Sequence, residues 1–297
     1  MSTVLILIKR NIKLFFKDKG MFLTSLITPL ILLVLYATFL RSVFRNSFLS
    51  SVPKGIRIPD EILDGLVSGQ LVSSLLAVSC VTVAFCSNFL MVQDKVTGAL
   101  KDLRISPVKS SVLSISYYIA SLLSTLLICF SALGICFVYL AVTGWYLSPA
   151  DVMLLILDVF LLVLFGTALS SVINFFLSTQ GQISAVGTII SAGYGFICGA
   201  YMPISNFSSG LQKVISFLPG TYGTVLVRRH SMQGAFAEMA EAGIPAEKIK
   251  SFKEGTDCIL YFFGNPVSEP VMYLILAGTI TVLVTVYVLL NRIKKEY

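Results

Sequence analysis

The sequence predicts an all-α integral membrane protein, with six transmembrane helices preceded by an N-terminal helix that lies in the membrane plane. Three observations carry this reading. The 297-residue chain is 56% hydrophobic and only 12% charged, with a mean hydropathy of +0.88, whereas soluble domains carry about 25% charged residues. Six apolar runs reach the roughly 20 residues needed to cross about 30 Å of hydrocarbon. Lys and Arg gather in the segments on one side of those runs. The net charge of +7 does not point to nucleic acid, because the basic residues are spread over short segments and form no continuous arm.

Residues 1–20 form the first element. Val4, Leu5, Ile8, Ile12, Phe15 and Phe16 fall on one helical face, with Lys9, Arg10, Lys13 and Lys17 elsewhere. A secretory signal carries its charges before the apolar core, and here they follow it. An amphipathic helix on the inner leaflet, lysines toward anionic headgroups, fits this order; an extension of the first span is the alternative. Gly20 ends the element. The unit 21–297 then holds the spans: Met21–Leu40, Leu71–Val92, Val112–Val142, Val152–Leu177, Ile183–Met202 and Pro270–Leu290. An even number puts both termini on one side. With the N-terminus inside, the inner segments hold 12 basic residues in about 50 positions and the outer ones 10 in about 100, so both termini are expected in the cytoplasm of a cell carrying this multi-pass protein in its plasma membrane.

Between the second and third spans stands "DKVTGALKDLRISPVKS", Asp94 to Ser110. Val96, Leu100 and Leu103 recur at helical spacing, Lys95, Lys101, Asp102 and Arg104 fill other faces, and Pro107 stops the pattern. A plain connection needs only a few residues. A short helix carrying Leu and charge together suits a groove on a partner, or else a rest on the lipid surface. In the fifth span Gly187, Ser191, Gly195 and Gly199 recur every four residues and offer a face for close helix contact. Beyond it, residues 203–269 exceed a plain loop. Phe207, Leu211, Ile215 and Leu218, then Val225 after Pro219-Gly220, predict two short amphipathic helices meeting at Leu-Pro-Gly, and Met232–Gly255 reads as solvated helix.

Asp158 is the one carboxylate inside a span. It reads either as a cation or proton site or as a polar contact near the outer interface, and no second ionisable group is expected at its depth. His230 is the only histidine and lies among Arg228, Arg229 and Ser231; neither a His-Glu-x-x-His motif nor a Gly-x-Ser-x-Gly elbow occurs. Five cysteines (Cys80, Cys86, Cys129, Cys136, Cys198) read as small apolar residues in spans, and Cys258 stands apart, free or paired between subunits. The chain is not expected to be an enzyme and to hold no metal or cofactor of its own.

Asp94, Gly98-Ala99-Leu100, Leu103 and Ser106-Pro107, together with the block "CGAYMPISNFSSGLQKVISFLPGTYGTVLVRR", resemble the type-2 ATP-binding-cassette (ABC) exporter permeases. In the block, Gly199, Pro203, Leu218, Pro219 and Arg228 match that family's Gly, Pro, apolar helix, Leu-Pro, apolar helix, Arg pattern. Asp94 stands where Glu is usual and Ala99 where Thr is usual. The resemblance implies that 94–107 is a coupling helix seated in a cytoplasmic ATPase, with Leu100 and Leu103 as apolar anchors and Lys101 and Arg104 as rim charges. It implies two ABC ATPase partners that bind ATP and Mg, since no Gly-Lys-Ser/Thr P-loop occurs in this chain, and a second permease copy or paralogue. Efflux of an amphipathic or lipid-like substrate (a drug, antimicrobial peptide, lipid or glycan) follows, with Phe85, Asn88, Ser191 and Tyr194 on its path and re-entrant outer helices gating it through Pro203, Phe207, Leu218 and Pro219. The alternative class is an ion-coupled transporter or channel built on Asp158.

Overall fold

The computed structural model describes residues 3–51, 58–106 and 108–293. They are built almost wholly of helix. α1 (Thr3–Lys17) leads to α2 (Lys19–Leu35), which continues through a π-helical turn, Tyr36–Leu40, into α3 (Arg41–Ser51). Next come α4 (Asp60–Thr97), α5 (Ala99–Ile105), α6 (Ser110–Thr143), α7 (Pro149–Phe176) and α8 (Gln180–Ile197). α9 (Ser209–Ser216), α10 (Pro219–Glu241) and α11 (Ala246–Gly255) precede a small antiparallel hairpin, β1 (Tyr261–Phe262) with β2 (Asn265–Pro266), and the chain closes on α12 (Glu269–Ile293).

Local chemistry fixes the starts of α2, α7 and α8. Asp18 accepts from the Met21 N–H at the head of α2. Ser148 and Asp151 exchange hydrogen bonds at the head of α7, with Pro149 at the first helical position, and Thr179 and Gln182 do the same for α8. A helix stands at each of the six expected places. Five of them (α2 with its extension, α4, α6, α7 and α12) are long and apolar enough to cross a membrane. α8 is not among these. It ends at Ile197 rather than at the expected Met202, because Gly199 adopts φ +73° and turns the chain back.

α4 is the axis of the bundle. Every residue from Gly65 to Val92 is buried, as befits a helix apolar on all sides, and two of its polar residues bond to neighbouring helices. Ser87 meets Thr125 of α6 at 2.8 Å, and the Asn88 amide donates to Ser170 and Ser171 of α7 at 3.0 and 2.6 Å. α1 packs on α6 and the foot of α4 through Leu7, with Ile8 and Phe15 also buried. Leu5, on the apolar face given above, is exposed together with Ile6, as a side turned to lipid is. The end of the bundle that carries α1 and α5 is the near end; the end that carries α10, α11 and the hairpin is the far end.

The far end departs most from the reading above. α9 and α10 do meet at Leu218-Pro219, but α10 runs unbroken for 23 residues and is largely buried. It lies antiparallel to α7: Gly220 sits against Phe165, Gly223 against Leu162, and His230 against Asp158. Its other end passes the α6–α7 connection, where Gly234 leaves room for the Tyr146 carbonyl. Met232–Gly255 is therefore no solvated helix over its first half. Met232, Ala235, Phe236 and Met239 are core residues.

Candidate functional site

Two neighbours in sequence, Asp94 and Lys95, organise the near end. Asp94 is buried and accepts from Arg10 of α1 at 2.8 Å and from the Tyr117 hydroxyl of α6. Its carboxylate thus fastens the amphipathic helix and α6 to the foot of α4. Lys95 turns the other way and donates to the carbonyls of Asn174, Phe175 and Leu177, at 3.1, 2.9 and 2.9 Å. A cation on the last carbonyls of α7 both satisfies acceptors that lack helical partners and opposes the negative end of the helix dipole.

α5 leaves this anchored foot through Gly98, whose φ of +84° ends α4 and whose missing Cβ removes the left-handed penalty. The two leucines offered above as anchors for a partner are not outward. Leu100 and Leu103 are half-buried against the chain's own Leu7, Leu90, Met91, Leu113 and Tyr117. On a seven-residue helix that face is turned home, and among the residues whose side chains are described Lys101, Asp102 and Ile105 are exposed, the last 84%. Val96, one turn earlier on α4, is 45% exposed. Arg104 belongs to α5, and Pro107 lies outside the described residues.

A groove of about 1120 Å³ runs along α2, α4 and α8, from Asp18 and Gly20 at the near end to Leu40 and Tyr201 at the far end. Its wall from α2 and the π-helical turn includes Ile27, Ile31, Leu35 and Phe39; Cys86, Phe89 and Gln93 come from α4, and Gln180, Ser184, Gly187, Thr188 and Ser191 from α8. Of the four expected path residues, Ser191 lines this groove. Phe85, Asn88 and Tyr194 do not: Asn88 is spent on Ser170 and Ser171, Phe85 is core, and the Tyr194 ring is buried against Gly220. The face of α4 toward the groove is one residue on, at Cys86, Phe89 and Gln93. The small-residue stripe is used within the chain. Gly187 faces the Phe89 ring, Gly195 admits the Tyr201 ring, and Gly199 makes the turn.

At the far end, Arg228 is fully buried and closes the turn that Gly199 opens. It donates to the Gly199 carbonyl at 2.6 Å and pairs with Asp257 at 3.2 Å. Asp257 also accepts from the N–H groups of Ile204 and Ser205, just after Pro203. Burial raises the Asp257 carboxyl above its ordinary range, against the opposing pull of Arg228 and those two N–H groups. Phe207 packs with Ile204, Ile215, Tyr222 and Met272, while Leu218 and Pro219 start α10. Cys258 is not available to a second subunit: it is 2% exposed, its sulfur 3.9 Å from that of Met232, and burial pushes its thiol up to about 11.

The expectation that Asp158 stands alone is also corrected. His230 Nδ1 lies 2.6 Å from Asp158 Oδ2, the Tyr273 hydroxyl donates to Oδ1 at 2.7 Å, and His230 Nε2 faces Glu269 at 3.3 Å. Spacing along the chain hides this meeting, because α10 brings a residue from what reads as an outer segment alongside α7. Among the described residues, no group of three His, Cys, Asp or Glu is arranged to hold a metal ion.

A model of the family described as ABC-2 type transporter matches residues 2–229 of the chain, which takes in α1, the Asp94–Lys95 hub, the groove and α10 as far as Arg229. Comparison with curated proteins gave no match.

Proposed function

The chain belongs to the ABC-2 type transporter family, and from that premise we propose that it is the permease subunit of an ABC exporter, driven by two separate ATPase subunits through α5. The observation that carries this reading is the near-end hub. A short helix with exposed Lys101, Asp102 and Ile105 projects from α4 beside two residues that bind α1, α6 and α7. Force applied to α5 by a closing pair of ATPases would reach three helices at once, as a coupling element requires. The near end and both termini are then cytoplasmic, in keeping with the density of basic residues there, and α10 is re-entrant from the outer face of the plasma membrane.

The groove along α2, α4 and α8 is the half-path that this subunit contributes, facing a second permease copy. Its wall is mainly aliphatic and aromatic, with Thr24, Gln93 and Gln180 toward the cytoplasmic end, which suits an amphipathic or lipid-like molecule that enters from the inner leaflet. The Gly199–Arg228–Asp257 clasp and the α9–α10 corner at Leu218-Pro219 form the outer gate. Alternating access follows: closure of the ATPases around ATP and Mg moves the hub, the spans shift, and the gate opens outward.

The test is purification of the tagged protein with its bound partners, followed by reconstitution into vesicles. The expected result is recovery of a P-loop ATPase and substrate movement that needs ATP. Purification without any ATPase, together with flux driven by an ion gradient alone, would overturn the reading in favour of an ion-coupled transporter.

A further inference from the structure

Asp158 has no exposed surface and lies about 24 Å along α7 from the near-end carbonyls that Lys95 caps. A carboxylate so placed needs charged or hydrogen-bonding partners, and it has them from two other helices: His230 of α10 and Tyr273 of α12. The imidazole is itself 3% exposed, and both of its nitrogens face carboxylate oxygens, Asp158 at 2.6 Å and Glu269 at 3.3 Å. A neutral imidazole carries one N–H and can serve one of these; the doubly protonated ring serves both. Loss of that proton turns a nitrogen lone pair toward a carboxylate, where an attraction becomes a repulsion.

Next to the buried ring, Glu269 of α12 is the acidic neighbour that reaches solvent. The Glu269 side chain is 28% exposed and ion-pairs at 3.4 Å with Arg229, itself 38% exposed. The order from solvent inward is therefore Glu269, His230, Asp158. α4 meets this stretch of α10 through Gly69, whose carbonyl accepts the Ser231 hydroxyl at 3.0 Å. The ionisable groups around the ring are thus Asp158 from α7, Arg229 from α10, and Glu269 with Tyr273 from α12.

We propose that Asp158 and His230 form a proton-binding latch that holds α10 against α7 and α12 and is loaded from the outer solution through Glu269. The protonated ring binds α10 to both spans. When a proton leaves Nε2 for the outer solution by way of Glu269, the Nδ1–H still donates to Asp158 but the ring's positive charge is gone, the contact between Nε2 and Glu269 turns repulsive, and α10 is held less tightly. Acid outside keeps the gate seated, and alkali outside loosens it. The sidedness rests on the orientation given above; the latch itself does not.

Cys258 supplies the probe, because it is buried against Met232 of α10 and becomes reachable when that helix lifts. The experiment is the labelling rate of Cys258 by a membrane-impermeant maleimide on sealed vesicles, with outer pH varied from about 5.5 to about 9 across the imidazole range. Wild type, His230→Gln and Glu269→Gln are compared. The thiolate fraction of Cys258 rises with pH in all three, so the ratio of variant to wild type is read. The expected result is that His230→Gln labels about tenfold faster than wild type at acid pH, that the two rates converge at alkaline pH, and that Glu269→Gln moves the convergence to lower pH. A ratio that stays constant across the range would mean that His230 only fills space, and would overturn the proposal. If His230→Gln fails to fold, Glu269→Gln carries the test against Tyr273→Phe, which removes a neutral donor and should leave the pH profile in place; a Glu269→Gln profile identical to wild type then overturns the latch. Labelling of Lys101→Cys on α5 reports orientation separately. Reaction of that cysteine from the outside would overturn the sidedness, and the same ratio measured from the opposite face would judge the latch.

Discussion

Arg228 and Asp257 form an ion pair in which neither partner reaches solvent to any extent, at 0% and 6% exposure of the two side chains. Such a pair does not by itself make a protein stable, since both charges leave water. What it does is make each partner costly to remove alone. Asp257→Ala would strand the Arg228 guanidinium and free the N–H groups of Ile204 and Ser205, with an expected loss of about 3–5 kcal/mol in denaturant unfolding of the solubilised protein. Arg229→Gln, at the next residue, breaks a pair with Glu269 that is 38% and 28% exposed, and should stay within about 1 kcal/mol of wild type. Equal effects from the two variants would refute the burial argument. Arg228 was legible in the sequence as the closing residue of the Gly-Pro-Leu-Pro-Arg pattern, and its distance from Gly199 gives that pattern a physical meaning: the first and last residues are hydrogen-bonded. Asp257 was not legible, because a lone acid in a charged outer segment carries no local signal of burial. The same holds for His230, whose partner stands 72 residues earlier.

At the scale of the element, a short helix has one face for the bundle and one for whatever lies beyond, and α5 divides them plainly. Periodicity located the helix, though it ran the pattern through Gly98, where the chain breaks, and periodicity alone cannot say which apolar face is the inner one when both occur within seven residues. Leu100 and Leu103 complete a cluster with Leu7 and Leu113, and Ile105 points away from it. Two variants separate these roles. Leu100→Asp places a charge against that cluster and should lower the unfolding midpoint, with a cost of about 2–4 kcal/mol. Ile105→Asp should leave the midpoint nearly unchanged while the yield of co-purified ATPase falls by about tenfold, the effect of removing one apolar anchor worth about 1.4 kcal/mol from a docked surface. Retention of the ATPase by Ile105→Asp would remove α5 from the docking surface. The same blindness to facing explains the path residues: Asn88 and Phe89 are adjacent on α4, and only the second turns toward the groove.

For the whole molecule, the groove starts at the level of the hub and rises from it through the bundle, with α4 common to both. α4 carries Asp94 and Lys95 at its foot, with Gln93 on the groove beside them and Phe89 and Cys86 on the groove about one to two turns above. A helix buried from Gly65 to Val92 cannot bend independently of α6 and α7, so a movement at its foot is shared along its length. Composition and run length were enough to give the helical class and the multi-pass architecture. They did not give the shortness of α8 or the depth of α10, since both follow from one left-handed glycine and the clasp that holds it. If the groove is a transport path and the hub a transmission, the two are separable by mutation. Ser191→Trp fills the groove from α8, where the serine lines open space rather than core, and should lower substrate flux by about tenfold or more, equivalent to an obstruction of about 1.4 kcal/mol. ATP hydrolysis by the attached subunits should persist in that variant, because the foot of α4 is untouched. Asp94→Ala should give the reverse. It leaves the groove open but releases α1 and α6 from the hub, so that hydrolysis continues while its yield of transported molecules drops. Measured side by side in vesicles as flux and phosphate release, a Ser191→Trp that transports at the wild-type rate would take the groove out of the path, and an Asp94→Ala with an unaltered ratio of flux to hydrolysis would take the hub out of the transmission.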